Sequence, residues 1–149
     1  MRAVIQRVKH ASVTIDDEMV GKIDKGILVF LGISEDDNES DLDYVFNKTV
    51  VLRIFEDENG KMNKSLSDIN GSILVVSQFT LQGDARKGRR PSYSNAARPE
   101  KALPLYEEFI TKCRNANINT QTGKFGADMK VELLNDGPVT ILLDSTKLF

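Results

Sequence analysis

The sequence predicts a layered α/β domain: a β-rich mixed sheet carrying two amphipathic helices. Three observations predict it. "GILVFLGI" (26–33) is a continuous apolar run too short for a typical helix, so it reads as a central strand covered on both faces. Two other segments switch to helical period. Leu42, Val45, Phe46 and Thr49 share one face of the first, and Ala102, Leu105, Tyr106, Phe109, Ile110 and Cys113 form one stripe of the second. Without a linker, repeat or low-complexity stretch, the 149 residues read as a single domain, 1–149, large enough to bury a core without disulfides or metals.

In chain order, "RAVIQRV" has the composition of a half-buried strand, and "SVTIDDEMVGKI" reads as a hairpin turning at Asp16 to Glu18. Ser40 with Asp43 three residues later resembles a capping box for the first helix. Six acids lie between Glu35 and Asp43; the glycine of a calcium-loop turn is missing, and carboxylates at the positive end of a helix explain them better. Asn59-Gly60 is a two-residue hairpin signal, because both residues tolerate positive φ. A strand over 72–81 follows. The second helix is predicted to begin near 101 to 103, since Pro104 is tolerable only in a first turn. "MKVELLN" and "VTILLDS" read as two final strands joined by "DGP".

Composition excludes several classes. A net charge of −2 argues against wholesale coating of nucleic acid, so any such contact has to use a local basic patch. The single cysteine, Cys113, excludes an intrachain disulfide framework and a Cys-rich zinc site, and it suits a reducing, cytoplasmic location. The N-terminus lacks an apolar signal-peptide core, and no apolar run approaches a bilayer span, so no membrane partner is expected. No metal and no cofactor are expected either: there is no H-E-x-x-H, no phosphate-binding Walker loop and no G-x-G-x-x-G. His10 is the only histidine, and nothing in the sequence sets it beside Ser77 for a Ser-His-Asp relay. Catalysis, if present, has to use hydroxyls, backbone N–H groups and the substrate's own groups.

Four stretches carry that possibility. In "SQFT", Ser77 and Phe79 share one face of an extended strand, and Gln78 and Thr80 share the other. Bringing Ser77 and Thr80 to one site needs a bend, whose N–H groups could form an oxyanion hole; a strand end with incidental hydroxyls is the plainer account. "GDARKGRRPS" combines two glycines with Arg86, Lys87, Arg89 and Arg90, a composition suited to phosphate or simply to a solvated surface. In "NDGPVT" (135–140), proline directly after a turn glycine cannot donate to a following ladder, and a cis Gly-Pro bond would aim two carbonyls the same general way. "TGKFGADM" (122–129) sets Phe125 and Met129 where they could form an apolar slot for a base, or pack into the core.

Taken together, "SQFTL" (77–81), "NDGPVT" (135–140), "GKMN" (60–63), "RPSY" (90–93), "GKFGADM" (123–129) and the opening "MRAVIQRVKHASV" resemble the D-aminoacyl-tRNA deacylase family across essentially the whole chain. The resemblance implies a homodimeric hydrolase that cleaves the ester between a D-amino acid, or glycine, and the 3′ end of tRNA. It implies that Ser77, Gln78, Phe79 and Thr80 line the catalytic site. It also implies that a cis Gly137-Pro138 element enters the partner's pocket across the subunit interface, grips the α-amino group and rejects L side chains. Arg7 is similar to the family residue that helps hold that dipeptide, and Phe125 and Met129 match positions near the terminal adenine. For activation of water, two routes stay open: a Thr80 nucleophile, or assistance by the substrate's 2′-hydroxyl. A non-catalytic RNA-end binder and a purely structural dimerisation domain are the competing readings.

Overall fold

A computed structural model describes residues 1–137 and 139–149 throughout, and Pro138 only as a member of its strand. The expected cis Gly137-Pro138 bond therefore lies outside the described residues. Strand β1 (Arg2–Ile15) turns through Asp16 and Asp17 into β2 (Glu18–Ile23). Both turn residues have positive φ, 49° and 63°, the hand that matches strand twist, and this is the predicted hairpin. There follow β3 (Gly26–Gly32), α1 (Glu39–Val51), β4 (Phe55–Glu56), β5 (Met62–Lys64), β6 (Ser72–Ser77), a 3-10 turn over Phe79–Gln82, α2 (Pro99–Asn115), β7 (Asn119–Thr122) and β8 (Lys130–Asp144).

The main sheet runs β2-β1-β3-β6-β7, with β8 along the other side of β1. β3–β6 and β6–β7 are parallel, and β1 is antiparallel to β2, β3 and β8. The sheet curls almost closed, bringing β2 to β7 so tightly that a Cβ on Gly21 would lie 2.5 Å from the Thr122 carbonyl oxygen. Ile27, Val29, Ile73 and Val75 face the helices and pack with Leu42, Val45 and Phe109. Their neighbours Leu28, Leu74 and Val76 fill the inside of the curl with Val8, Val13 and Ile23. A strand with both faces buried has no polar side to show, which is why β3 and β6 read as unbroken apolar runs.

Five expectations are corrected. The capping box of α1 is Asn38 with Asp41, not Ser40 with Asp43. Asn38 is still extended; its side chain accepts from the Ser40 N–H at 2.8 Å, and the Asp41 carboxylate accepts from the Asn38 N–H at 3.0 Å. One of the acids ahead of this helix, Asp37, is buried against the Met1 ammonium group and also accepts from the Ser34 N–H at 2.7 Å. The Asn59-Gly60 hairpin forms, but as a wider loop between the Glu56–Met62 pair, with the Asp57 carboxylate accepting from the N–H groups of Asn59 and Lys61. Helix α2 begins earlier than predicted, with Pro99 in its first turn, so Pro104 sits inside the helix. Its ring is on the exposed side, where water can meet the carbonyl it leaves free. The strand predicted over 72–81 stops at Ser77. The two predicted final strands are one, β8: both halves pair antiparallel to β1, so "DGP" reverses nothing. Strand β7, "NTQT", was not legible as a strand because it is short and wholly polar.

Two outcomes follow from this packing. Cys113 is fully buried on the α2 stripe, and burial pushes its thiol up to about 12. The thiol should stay protonated at pH 8, where an exposed cysteine is already partly thiolate. A disulfide reagent should therefore label the native protein only at its unfolding rate and label the urea-unfolded protein at once. The second concerns Gly32, where a Cβ would lie 2.7 Å from Leu81 Cβ and 2.8 Å from the Gln78 carbonyl oxygen. Gly32→Ala should cost about 1–3 kcal/mol, seen as a lower urea midpoint.

Candidate active site

The site begins where β6 ends. Ser77 pairs with Leu31, and the Gln78 N–H donates to the Leu31 carbonyl at 2.8 Å, the last bond of that edge. The chain then leaves the sheet and winds into the 3-10 turn, closed by the Gly83 N–H on the Thr80 carbonyl at 2.9 Å. Three contacts hold this turn. Gly32 lets the backbone of Gln78 and the side chain of Leu81 come within Cβ distance. The buried Gln82 amide donates to the Gly32 carbonyl at 2.9 Å. Arg2 donates to the Leu81 carbonyl at 2.9 Å and is itself held by Asp144 at 2.9 Å. The bend expected in "SQFT" is present, but it does not bring Thr80 to the cavity that Ser77 lines. Phe79 and Thr80 open the 3-10 turn, and their N–H groups have no backbone acceptor among the described residues.

Beside this bend lies a cavity of about 500 Å³. Ser77, Gln78, Phe79, Phe125 and Met129 line it, together with Leu31 and Val76. No described lining residue carries an ionisable side chain. Phe125 is braced from behind by Tyr106, ring to ring at 5.7 Å and 49°. Tyr106 is fixed in turn because its hydroxyl donates to the Val75 carbonyl at 2.9 Å, and burial pushes that hydroxyl up to about 12, against the opposing charge of Arg114. Phe79 is 58% exposed and meets Tyr93 edge-on at 5.3 Å. Phe125 packs against the core and also lines the cavity.

Among the described candidates, Thr80, Arg7 and Gly137 do not line this cavity. Thr80 is exposed on the turn, and its hydroxyl accepts from the Gln78 side-chain amide. Arg7 and Gly137 meet at a second feature, a bulge in β8. Gln6 faces Thr140 and Val8 faces Asn135, so two steps along β1 correspond to five along β8, and the intervening residues leave the ladder. The buried Arg7 guanidinium braces them: it donates to the Asp136 carbonyl at 3.1 Å, to the Gly137 carbonyl at 3.5 Å and to the Ile54 carbonyl, and it pairs with the Asp136 carboxylate at 3.3 Å. The Asn135 amide closes the bulge, donating to the carbonyls of Arg7 and Val139 at 3.0 and 3.1 Å. Asn135, Asp136, Gln82 and Arg2 were missed in the sequence; the only signal was that Asn135 and Asp136 lead into Gly-Pro.

The basic loop is closed by paired backbone bonds between Asp84 and Ser92 at 2.8 and 2.9 Å. Arg86 is held by Asp84 at 2.9 and 2.7 Å, which keeps that carboxyl far below the usual range, and leaves Lys87, Arg89 and Arg90 exposed. His10 is exposed and sits opposite Leu134 in the β1–β8 ladder. Among the described residues there is no group of three potential metal ligands, and no helix is long and apolar enough to cross a membrane.

The chain matches a known family. The model of the family described as D-Tyr-tRNA(Tyr) deacylase matches residues 4–144. A D-aminoacyl-tRNA deacylase of Thermosipho africanus is 62% identical over 149 residues, covering all of both chains, and one of Clostridioides difficile matches at the same identity and coverage. A solved structure titled "c-Myc DNA Unwinding Element Binding Protein" superposes with a TM-score of 0.91 at 44% identity, covering 97% of this chain and 98% of that one. A structure described as a probable eukaryotic D-amino acid tRNA deacylase shares the fold, with a TM-score of 0.82 at 18% identity over 95% and 97% of the two chains. With the family model spanning almost every residue and relatives aligned end to end, the chain belongs to the D-Tyr-tRNA(Tyr) deacylase family and is a hydrolase of the D-aminoacyl-tRNA deacylase class.

Proposed function

We propose that the deacylase reaction takes place in the cavity beside the 77–80 bend, with the aminoacyl ester against Ser77 to Thr80 and the terminal adenine between Phe125 and Met129. The observation that carries this reading is the bend: it turns a core strand's end into a turn whose Phe79 and Thr80 N–H groups have no backbone acceptor among the described residues, next to an apolar cavity that Phe79 lines. Such donors, aimed where negative charge develops on a carbonyl oxygen, contribute about 3–4 kcal/mol each to an acyl-transfer barrier. An ester is already an activated bond, and positioning it supplies a further share.

The uncharged lining bears on how water is activated. A general base has to stand within hydrogen-bond reach of the proton it takes, and no lining side chain can accept one at neutral pH. Among the described residues the partner of the Thr80 hydroxyl is the Gln78 amide, a donor that cannot serve as its base. The group left to assist is the ribose 2′-hydroxyl of the substrate, next to the ester itself. Thr80 then serves as a polar brace of the turn.

Chiral selection belongs, in this reading, to the β8 bulge of a second subunit. D and L esters contain the same atoms, so attraction alone separates them poorly, while a rigid obstacle on one side of the α-carbon separates them well. The bulge is rigid because Arg7 and Asn135 hold it. A Cβ on Gly137 would find only the Asn135 side-chain oxygen, at 3.9 Å, so its own chain does not crowd Gly137. Along β8, Leu134 and Leu142 are exposed, and the strand pairs within the chain only with β1, an open edge suited to a second copy. The homodimer so formed brings each cis Gly137-Pro138 element to the other's cavity, where its carbonyls hold the α-amino group. Glycine presents no side chain to reject, so glycyl-tRNA is a substrate as well. The protein thus acts on tRNA in the cytoplasm as a translation quality-control enzyme.

Two measurements test this. Incubated with D-tyrosyl-tRNA and L-tyrosyl-tRNA, the protein should release only the D-amino acid; Thr80→Ala should keep most of that turnover, and a 2′-deoxy terminal adenosine should abolish it. Equal release of both enantiomers, or retained activity on the deoxy substrate, contradicts the reading. Arg7→Lys, which keeps the charge but loses the guanidinium fork, should raise turnover of the L ester relative to the D ester. A lower melting temperature with an unchanged D/L ratio would mean that Arg7 is a structural brace only.

A further inference from the structure

A second hollow adjoins the cavity and takes no part in the mechanism above. It has a volume of about 610 Å³ and shares Phe125 with the first. The loop between β7 and β8 divides between the two: Thr122 to Lys124 face this groove, while Gly126, Ala127 and Met129 face the cavity. The chemistry changes across the Phe125 ring. On the cavity side the described lining is uncharged; on the groove side stand Arg114, from the last turn of α2, and Lys124, with Glu107 as the one carboxylate. Among the described residues none of these three takes part in an ion pair, although other surface charges of the chain do.

We propose that the Arg114–Lys124 groove is the subsite that receives the phosphodiester and the nucleotide preceding the terminal adenosine of the tRNA. This assignment rests on the deacylase reading for the occupant of the cavity and on the groove's own geometry for the rest. A nucleoside seated against Phe125 is tethered through its 5′-phosphate, and that anion has to leave a cavity that offers it no cation. Across the same ring are a guanidinium fork and an ammonium, neither ion-paired among the described residues despite Glu107 in the same groove, and these are the donor types that bind phosphate most strongly. The wall between them is stiff, because Tyr106 backs Phe125 and is anchored on Val75. A strand crossing it is therefore held at a fixed bend. The cations in the 84–92 loop are a less suitable alternative, since Arg86 is already occupied by Asp84 and none of that loop lines either hollow.

The test compares three ligands: D-tyrosyl-adenosine, which lacks the phosphodiester; D-tyrosyl ester of a CCA trinucleotide, which has it; and uncharged CCA RNA, which measures binding without hydrolysis. Removal of Arg114 and Lys124 together, as Arg114→Gln with Lys124→Gln, should lower kcat/KM on the trinucleotide ester by about tenfold or more. The same protein should hydrolyse D-tyrosyl-adenosine as the unaltered enzyme does. Its binding of CCA RNA should weaken, and the dependence of log affinity on log salt should flatten by about 0.7 for each phosphate that is no longer neutralised. Arg114→Lys alone should recover part of the loss. An equal loss on both esters, no loss on either, or a loss carried instead by Arg89→Ala with Arg90→Ala overturns the proposal. If the unaltered protein hydrolyses neither ester but still binds CCA RNA through these two residues, the deacylase reading fails and the groove assignment stands.

Discussion

At the end of β3 there is no room for a side chain, and the rest of the site depends on that constraint. Gly32 lets the chain leaving β6 turn back over the sheet at van der Waals distance, where any Cβ would meet backbone oxygen. A strand that continued straight would keep its N–H groups in the ladder and alternate Ser77 with Gln78 across two faces. Folded into a 3-10 turn, it leaves the Phe79 and Thr80 N–H groups without a backbone acceptor among the described residues and sets Ser77, Gln78 and Phe79 beside one cavity. The turn has few internal hydrogen bonds, so it is secured from outside by Gln82 and Arg2. The floor of the site is therefore as rigid as the sheet edge on which it rests.

The same logic recurs in β8. A long strand pairs along β1 on either side of a bulge, with a further register shift between Val8 and His10. The bulge itself loses ladder bonds, and its exposed carbonyls are met by a buried arginine instead. A guanidinium withdrawn from water is costly unless it is fully partnered; here backbone carbonyls from two separate segments and one carboxylate partner it. The arginine and the bulge stabilise each other, which makes the position of Gly137 a property of the fold, not of the loop alone.

Much of this was legible in the sequence, for a physical reason. Strands buried on both faces, such as β3 and β6, and helices with one apolar stripe advertise themselves through periodicity. The local signals were read less well. Asn38 outcompeted Ser40 as the cap because the chain is still extended there, which periodicity does not register. "DGP" looks like a reversal, yet the partner strand β1 continues past it and holds both sides in one direction, a long-range pairing that no local motif encodes. Ser77, Gln78, Phe79, Phe125 and Met129, singled out by type and position, all line one cavity. Their supports were not legible, because Gln82 and Arg2 act through backbone carbonyls distant in sequence.

The uncharged cavity lining has a consequence for substrate range. A pocket with a carboxylate or an ammonium group sorts its ligands by the charge of their side chains. This one has no such group to offer and leaves that sorting undone. With the aminoacyl group placed there as proposed, acidic, basic and aromatic side chains would meet the same neutral wall among the described residues.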